Sequence, residues 1–175
     1  MTLSGCRVGV ILTGVVCAWA SGLGDAQNAS PAQVIKNRVT HFHQIGDAFK
    51  GIRDQLRTSD PAVPAVQEFA RRIECLGAQI PTWFPPGTGA AAQREDRHSV
   101  SSGLSSGDSG KDDHKTRAKD EIWTQRSAFE EAHKRFLAEA QKMSQVAKSG
   151  DKAALATQYK VLGQACKNCH NTFRE

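Results

Sequence analysis

The chain has 175 residues, a formal net charge of +5 and 39% hydrophobic residues, which is length for one domain and apolar material for one ordinary core. Its 23 basic residues are dispersed, with no run of five or more and no interleaved aromatics. That pattern reads as a solvated basic exterior and argues against a nucleic-acid partner.

The first segment carries Arg7, an apolar run from Val8 to Ala20 and small residues at two cut points, Ala18-x-Ala20 and Gly24-x-Ala26. This is the layout of a cleavable export signal, preferred here as residues 1–26, and the run falls short of the roughly 20 residues of a permanent span. A lipoprotein site at Cys17 is disfavoured because Val16 stands where a small residue is usual. The expected mature domain, 27–175, holds no second apolar span and keeps a charge of +5, since the leader takes away one Arg and one Asp. It is expected in the periplasm, without a membrane anchor.

Helical periodicity starts at Ser30, a cap, followed by Pro31 at the first helical position. Ile35, Val39, Phe42, Ile45, Phe49, Ile52 and Leu56 then recur every three or four residues, predicting a first helix over about 31–57. Asp60-Pro61 repeats the start signal for a second helix, with Val63, Val66, Phe69, Ile73, Leu76 and Ile80 as its stripe and a stop before Pro81. From about Gly89 to Lys119 the chain is rich in Gly, Ser and charge and reads as a flexible insertion. Ile122, Phe129, His133, Phe136, Ala140, Met143 and Ala147 predict a third helix ending at Ser149-Gly150. Asp151 can cap a fourth, carrying Leu155, Tyr159, Leu162, Cys166, Cys169 and Phe173. No stretch alternates as a strand does, and two of the links are short. The expected fold is therefore all-α, an antiparallel up-down-up-down four-helix bundle. His133 is expected as a hydrogen-bonded residue at the core edge, and Cys75 as a small buried hydrophobe.

Three cysteines remain once the leader is gone, an odd number that argues against a disulfide framework for the final pair. That pair stands in Cys166-Lys167-Asn168-Cys169-His170, the C-x-x-C-H attachment signature of haem c. Each thiol adds across a haem vinyl group to form a thioether, while the imidazole bonds the iron. On a helix these positions share one face, so all three reach the macrocycle together. A thioredoxin-like pair would want a βαβ setting and a helix N-terminus. Zinc would want a further paired set of ligands, which Cys75 and the scattered histidines do not supply. Covalent haem is expected, with His170 as the metal ligand.

The chain resembles the cytochrome c′ family, the class II cytochromes c. The resemblance is carried by "VIKNR" in the first helix, "IPTWFPPGT" after the second, "DEIW" opening the third and "GQACKNCHNTFR" closing the last. It implies that Phe42, four residues after Arg38, faces the iron opposite His170. It also implies that Arg38 meets a haem propionate, that Trp83 packs on the haem edge, that Arg174 lies by the proximal face, and that the protein is a homodimer. Phenylalanine offers no lone pair, so the implied iron is five-coordinate and open to nitric oxide or carbon monoxide. The chain's two methionines, Met1 and Met143, both lie off the first helix. Departures are Val39 where relatives often have Gln, Phe173 where many have Tyr, and the longer insertion.

The leading alternative is a six-coordinate electron-transfer cytochrome in which His41 or His43 supplies the second axial ligand. Each is turned by about 100° from Phe42 on a helix, so neither faces the iron when Phe42 does. A haem enzyme such as a peroxidase would need a distal acid/base group that the sequence does not place. The protein is therefore expected to bind gas, and to relay electrons to an unknown redox partner, without being an enzyme.

Overall fold

The computed structural model describes residues 29–92 and 115–175. The expected leader and residues 93–114 of the expected insertion lie outside them. Four long helices make up the body: α1 (Pro31–Leu56), α2 (Val63–Gln79), α4 (Arg126–Ser149) and α5 (Lys152–Phe173). A 3₁₀ turn (Ile80–Trp83) follows α2, and a short α3 (Glu121–Thr124) precedes α4. Each long helix packs chiefly on its neighbours in sequence, whereas α1 and α5 meet only sparingly. Among the described residues there is no strand, and no helix is long and apolar enough to cross a membrane.

The helix ends follow from their residues. Ser30 Oγ accepts from Gln33 N at 3.2 Å, and Asp151 Oδ1 accepts from Ala153 N at 2.8 Å and Ala154 N at 3.1 Å, so both expected caps form. Gly150 closes α4 with φ 68°, the left-handed conformation that glycine adopts without a Cβ penalty. One boundary differs from expectation. The Asp60-Pro61 signal does not start α2; the helix begins at Val63 with Pro64 in its first turn. α2 ends at Gln79, before Pro81 as expected, and Pro81 falls inside the 3₁₀ turn that follows.

The expected third helix is also interrupted. Gln125, at φ −117° and ψ 49°, separates α3 from α4. On one side Trp123 donates its indole N–H to Pro85 O at 3.1 Å; on the other Phe129 enters the core at 2% exposure. The last residues of the expected insertion, 89–119, are fastened. Ala118 pairs with Arg174 in an antiparallel bridge, with Lys119 N donating to Phe173 O and Glu175 N to Arg117 O.

The core runs through the helices as one cluster from Ile45 to Phe173. Ile35, Ile52, Val66, Ala70, Ala140, Met143, Leu155 and Leu162 have no exposed surface. In α1 the buried face includes Arg38, while Val39, Phe42, Phe49 and Leu56 of the expected stripe are half-buried. His133 is half-buried, with Nε2 against Gly77 O at 2.9 Å, the hydrogen-bonded core-edge residue expected. Cys75 is buried on α2.

Gly77 marks a tight crossing. A Cβ there would fall 2.8 Å from Phe136 Cε1, inside van der Waals contact. With both residues buried, Gly77→Ala should cost about 1–3 kcal/mol, the usual penalty of overpacking, read as a lowered urea midpoint at unchanged m-value.

Candidate functional site

The C-terminal turns of α5 carry Cys166, Cys169 and His170 on one face. Both cysteines are half-buried and uncrosslinked. Burial, and then the neighbouring Cys169, pushes the Cys166 thiol up to about 11, and burial pushes Cys169 up too. The pair is held as thiols at neutral pH, whereas a redox-active pair needs a readily formed thiolate. A protonated thiol is the species that adds across a vinyl group. His170 is exposed, yet the desolvation it does undergo, then the charges of Arg174 and Arg117, hold it below the ordinary imidazole range. Its neutral form is the one that bonds a metal.

What faces this turn is set by how α1 meets α5. The two close on each other where Phe49 stacks on Tyr159, ring centroids 4.2 Å apart. At the same level, a Cβ on Gly163 would lie 3.2 Å from Phe49 Cζ, so glycine allows the approach. From the stack of Phe49 on Tyr159, Cys166 lies about two turns toward the C-terminus of α5 and Phe42 about two turns toward the N-terminus of α1. α1 and α5 meet sparingly, and Phe42, Cys166 and Cys169 are only half-buried.

Phe42 lies edge-on to Trp83 at 5.2 Å and tilted to Phe84 at 6.1 Å. Trp83 is 7% exposed and closes this end of the bundle. Of the two flanking imidazoles, His43 is exposed. His41 packs its ring on Trp83 at 4.8 Å, and its buried Nδ1 has no hydrogen-bond partner among the described residues.

Arg38 is 2% exposed. Its Nη1 donates to Trp83 O at 3.3 Å and Thr88 Oγ1 at 3.2 Å; its Nη2 donates to Thr88 O at 2.9 Å and Thr116 Oγ1 at 2.9 Å. The guanidinium also sits 4.6 Å from the Phe84 ring centroid and 5.9 Å from that of Trp123. None of the ion pairs among the described residues includes it. Burial lowers its pKa to about 10, so it remains charged at neutral pH.

Arg174 leaves the helix: it is the C-cap of α5, at φ −128° and ψ 138°, with its N–H bonded to His170 O at 3.0 Å. It therefore approaches the imidazole from an extended segment. The bridge at Ala118 brings Arg117 to the same place, close enough for its charge to depress both His170 and Arg174. Sequence reasoning missed Arg117, Thr88, Thr116 and Phe84. "IPTWFPPGT" contains Thr88 and Phe84, but nothing local marks Thr116 or Arg117.

These residues fit a covalently held tetrapyrrole. The two thiols and the imidazole lie side by side on one helix, and among the described residues no three His, Cys, Asp or Glu side chains converge on a point as ligands to a bare metal ion would. The orphaned Nδ1 of His41 and the uncompensated charge of Arg38 stand at the same end of the bundle.

A family model described as Cytochrome C' matches residues 33–174. A cytochrome c' of Rhodospirillum rubrum is 30% identical over 150 residues, covering 85% of this chain and 86% of the relative. The crystal structure of cytochrome c' from Rubrivivax gelatinosus superposes with a TM-score of 0.63 at 25% identity, covering 83% of this chain and 98% of that one. A nitric oxide complex of a cytochrome c prime variant from Alcaligenes xylosoxidans superposes with a TM-score of 0.64 at 21% identity, covering 84% of this chain and 98% of that one.

Proposed function

The chain belongs to the cytochrome c′ family, whose members carry one covalently bound haem c, and from that premise we propose that it binds nitric oxide and carbon monoxide on a five-coordinate iron. When bound, the haem supplies a single vacant position to a neutral diatomic. Cys166 and Cys169 would hold it through thioethers and His170 would bond the iron. The observation that carries the reading is Phe42: a side chain without a lone pair, held edge-on to Trp83 and, like the two cysteines, half-buried against the core.

Phe42 fills the distal side as an apolar plug that keeps water and hydrogen-bond donors away. Dioxygen gains less there than nitric oxide or carbon monoxide, because its bound form is stabilised by a donor that phenylalanine lacks. Trp83 packs against the haem edge, and Arg174, joined by Arg117, keeps the proximal side electropositive. Electron relay to a redox partner, a periplasmic location after loss of residues 1–26 and a homodimeric state belong to the same reading. No group is assigned to acid/base turnover. Of the two imidazoles that could complete six-coordination, His43 is exposed and His41 packs on Trp83.

The absorption spectrum of the purified protein tests this directly. A high-spin five-coordinate spectrum at neutral pH is expected, and a low-spin resting spectrum would exclude it. Phe42→Ala should speed carbon monoxide association by about tenfold, the effect of removing about 1.4 kcal/mol of steric barrier. An unchanged association rate would show that the ring is no barrier.

A further inference from the structure

We propose that His41, and not Arg38, makes the directional hydrogen bond from α1 to a haem carboxylate, while Arg38 balances that carboxylate's charge from a distance. The inference rests on the haem lying between α1 and α5, as proposed above.

The two residues are three apart on α1 and share its face. Trp83 stands between them: its carbonyl accepts from Arg38 and its indole packs on His41. Arg38 has little left to give. Its four terminal N–H groups are matched by four neutral acceptors, two on each nitrogen, which leaves only Nε–H. Its charge, by contrast, is unanswered. A cation at 2% exposure, without an ion pair among the described residues, stands to gain from an anion nearby.

His41 has the complementary deficit. Its Nδ1 is sealed from solvent without a partner among the described residues, a state that buried polar atoms rarely occupy. Burial alone lowers its pKa, so near pH 7 the ring is neutral and carries one N–H to donate. A water could satisfy the Nδ1 atom but would leave the guanidinium charge as it is. A carboxylate answers both. Haem c brings carboxylates at its periphery, and His41, turned about 100° from Phe42, addresses that periphery when Phe42 faces the iron.

The test uses the holoprotein and two variants, with the ferric/ferrous midpoint and the propionate bending band in resonance Raman as readouts. His41→Ala should move the band and shift the Fe(II)/Fe(III) equilibrium about three- to tenfold toward ferric, the range of one hydrogen bond. His41→Asn, whose amide nitrogen takes the place of Nδ1, should restore both. A band and midpoint unchanged in His41→Ala would overturn the proposal and leave the gas-binding reading intact. A low-spin resting protein that turns high-spin in His41→Ala would make His41 an axial ligand and overturn both.

Discussion

Replacing Cys166 and Cys169 together by serine is expected to abolish covalent haem retention completely, with mass spectrometry of the denatured protein finding the bare polypeptide. Serine keeps size and hydrogen bonding but cannot form a thioether. The only remaining link is then the bond from His170, which is reversible and lies beside an exposed edge of the helix end. Each single serine variant should keep the haem through its one remaining thioether. Its vinyl group left free should shift the absorption bands of the reduced pyridine adduct. Burial raises both thiols, which holds them in the protonated form, and among the described residues no third ligand converges on them. Retention of haem through denaturation in the double variant would mean that attachment runs through other atoms, and the assignment of the site would fall with it.

How much of this could be read from the sequence depends on the reach of each interaction. The caps at Ser30 and Asp151, the stop at Gly150 and the stripes of the four long helices are local, so their residues announce them. The attachment motif is equally local, confined to five consecutive residues. What stayed hidden is carried by contacts across long separations. Arg38 meets Trp83, Thr88 and Thr116 at separations of 45, 50 and 78 residues, and no periodicity records such a meeting. The segment Thr116–Lys119 looks like loop by composition, yet two backbone hydrogen bonds to the chain after α5 hold it in place. Pro61 carried the right signal three residues early, since Pro64 competes for the same role and wins. The interruption at Gln125 has no marker, because the apolar spacing from Ile122 to Phe129 suits one continuous helix as well as two.

Arg38→Ala is expected to lower stability by about 2–4 kcal/mol, the scale of leaving buried carbonyls without donors and opening a cavity. The guanidinium ties α1 to the turn after α2 at Trp83 and Thr88, and to the segment before α3 at Thr116, so one side chain fixes three parts of the chain. Truncation leaves the carbonyls of Trp83 and Thr88 without these donors and opens a void beside Phe84. Arg38→Met separates the two costs, since it keeps the apolar stem and removes only the donors; it should recover less than half of the loss. Lysine should do little better, because a single ammonium cannot reproduce a planar fork that serves four acceptors. Part of the gain from removing the charge works in the opposite direction. Burial holds the folded pKa at about 10, below the ordinary guanidinium value, so the charged form carries a desolvation cost at neutral pH that relaxes as the pH rises through that value. The net loss is therefore smaller than four hydrogen bonds to a charged donor would suggest. A double-mutant cycle with Thr116→Val should return a coupling of about 1–2 kcal/mol from urea unfolding, and a coupling indistinguishable from zero would show that the contact between Arg38 and Thr116 does not hold the segment before α3 in place.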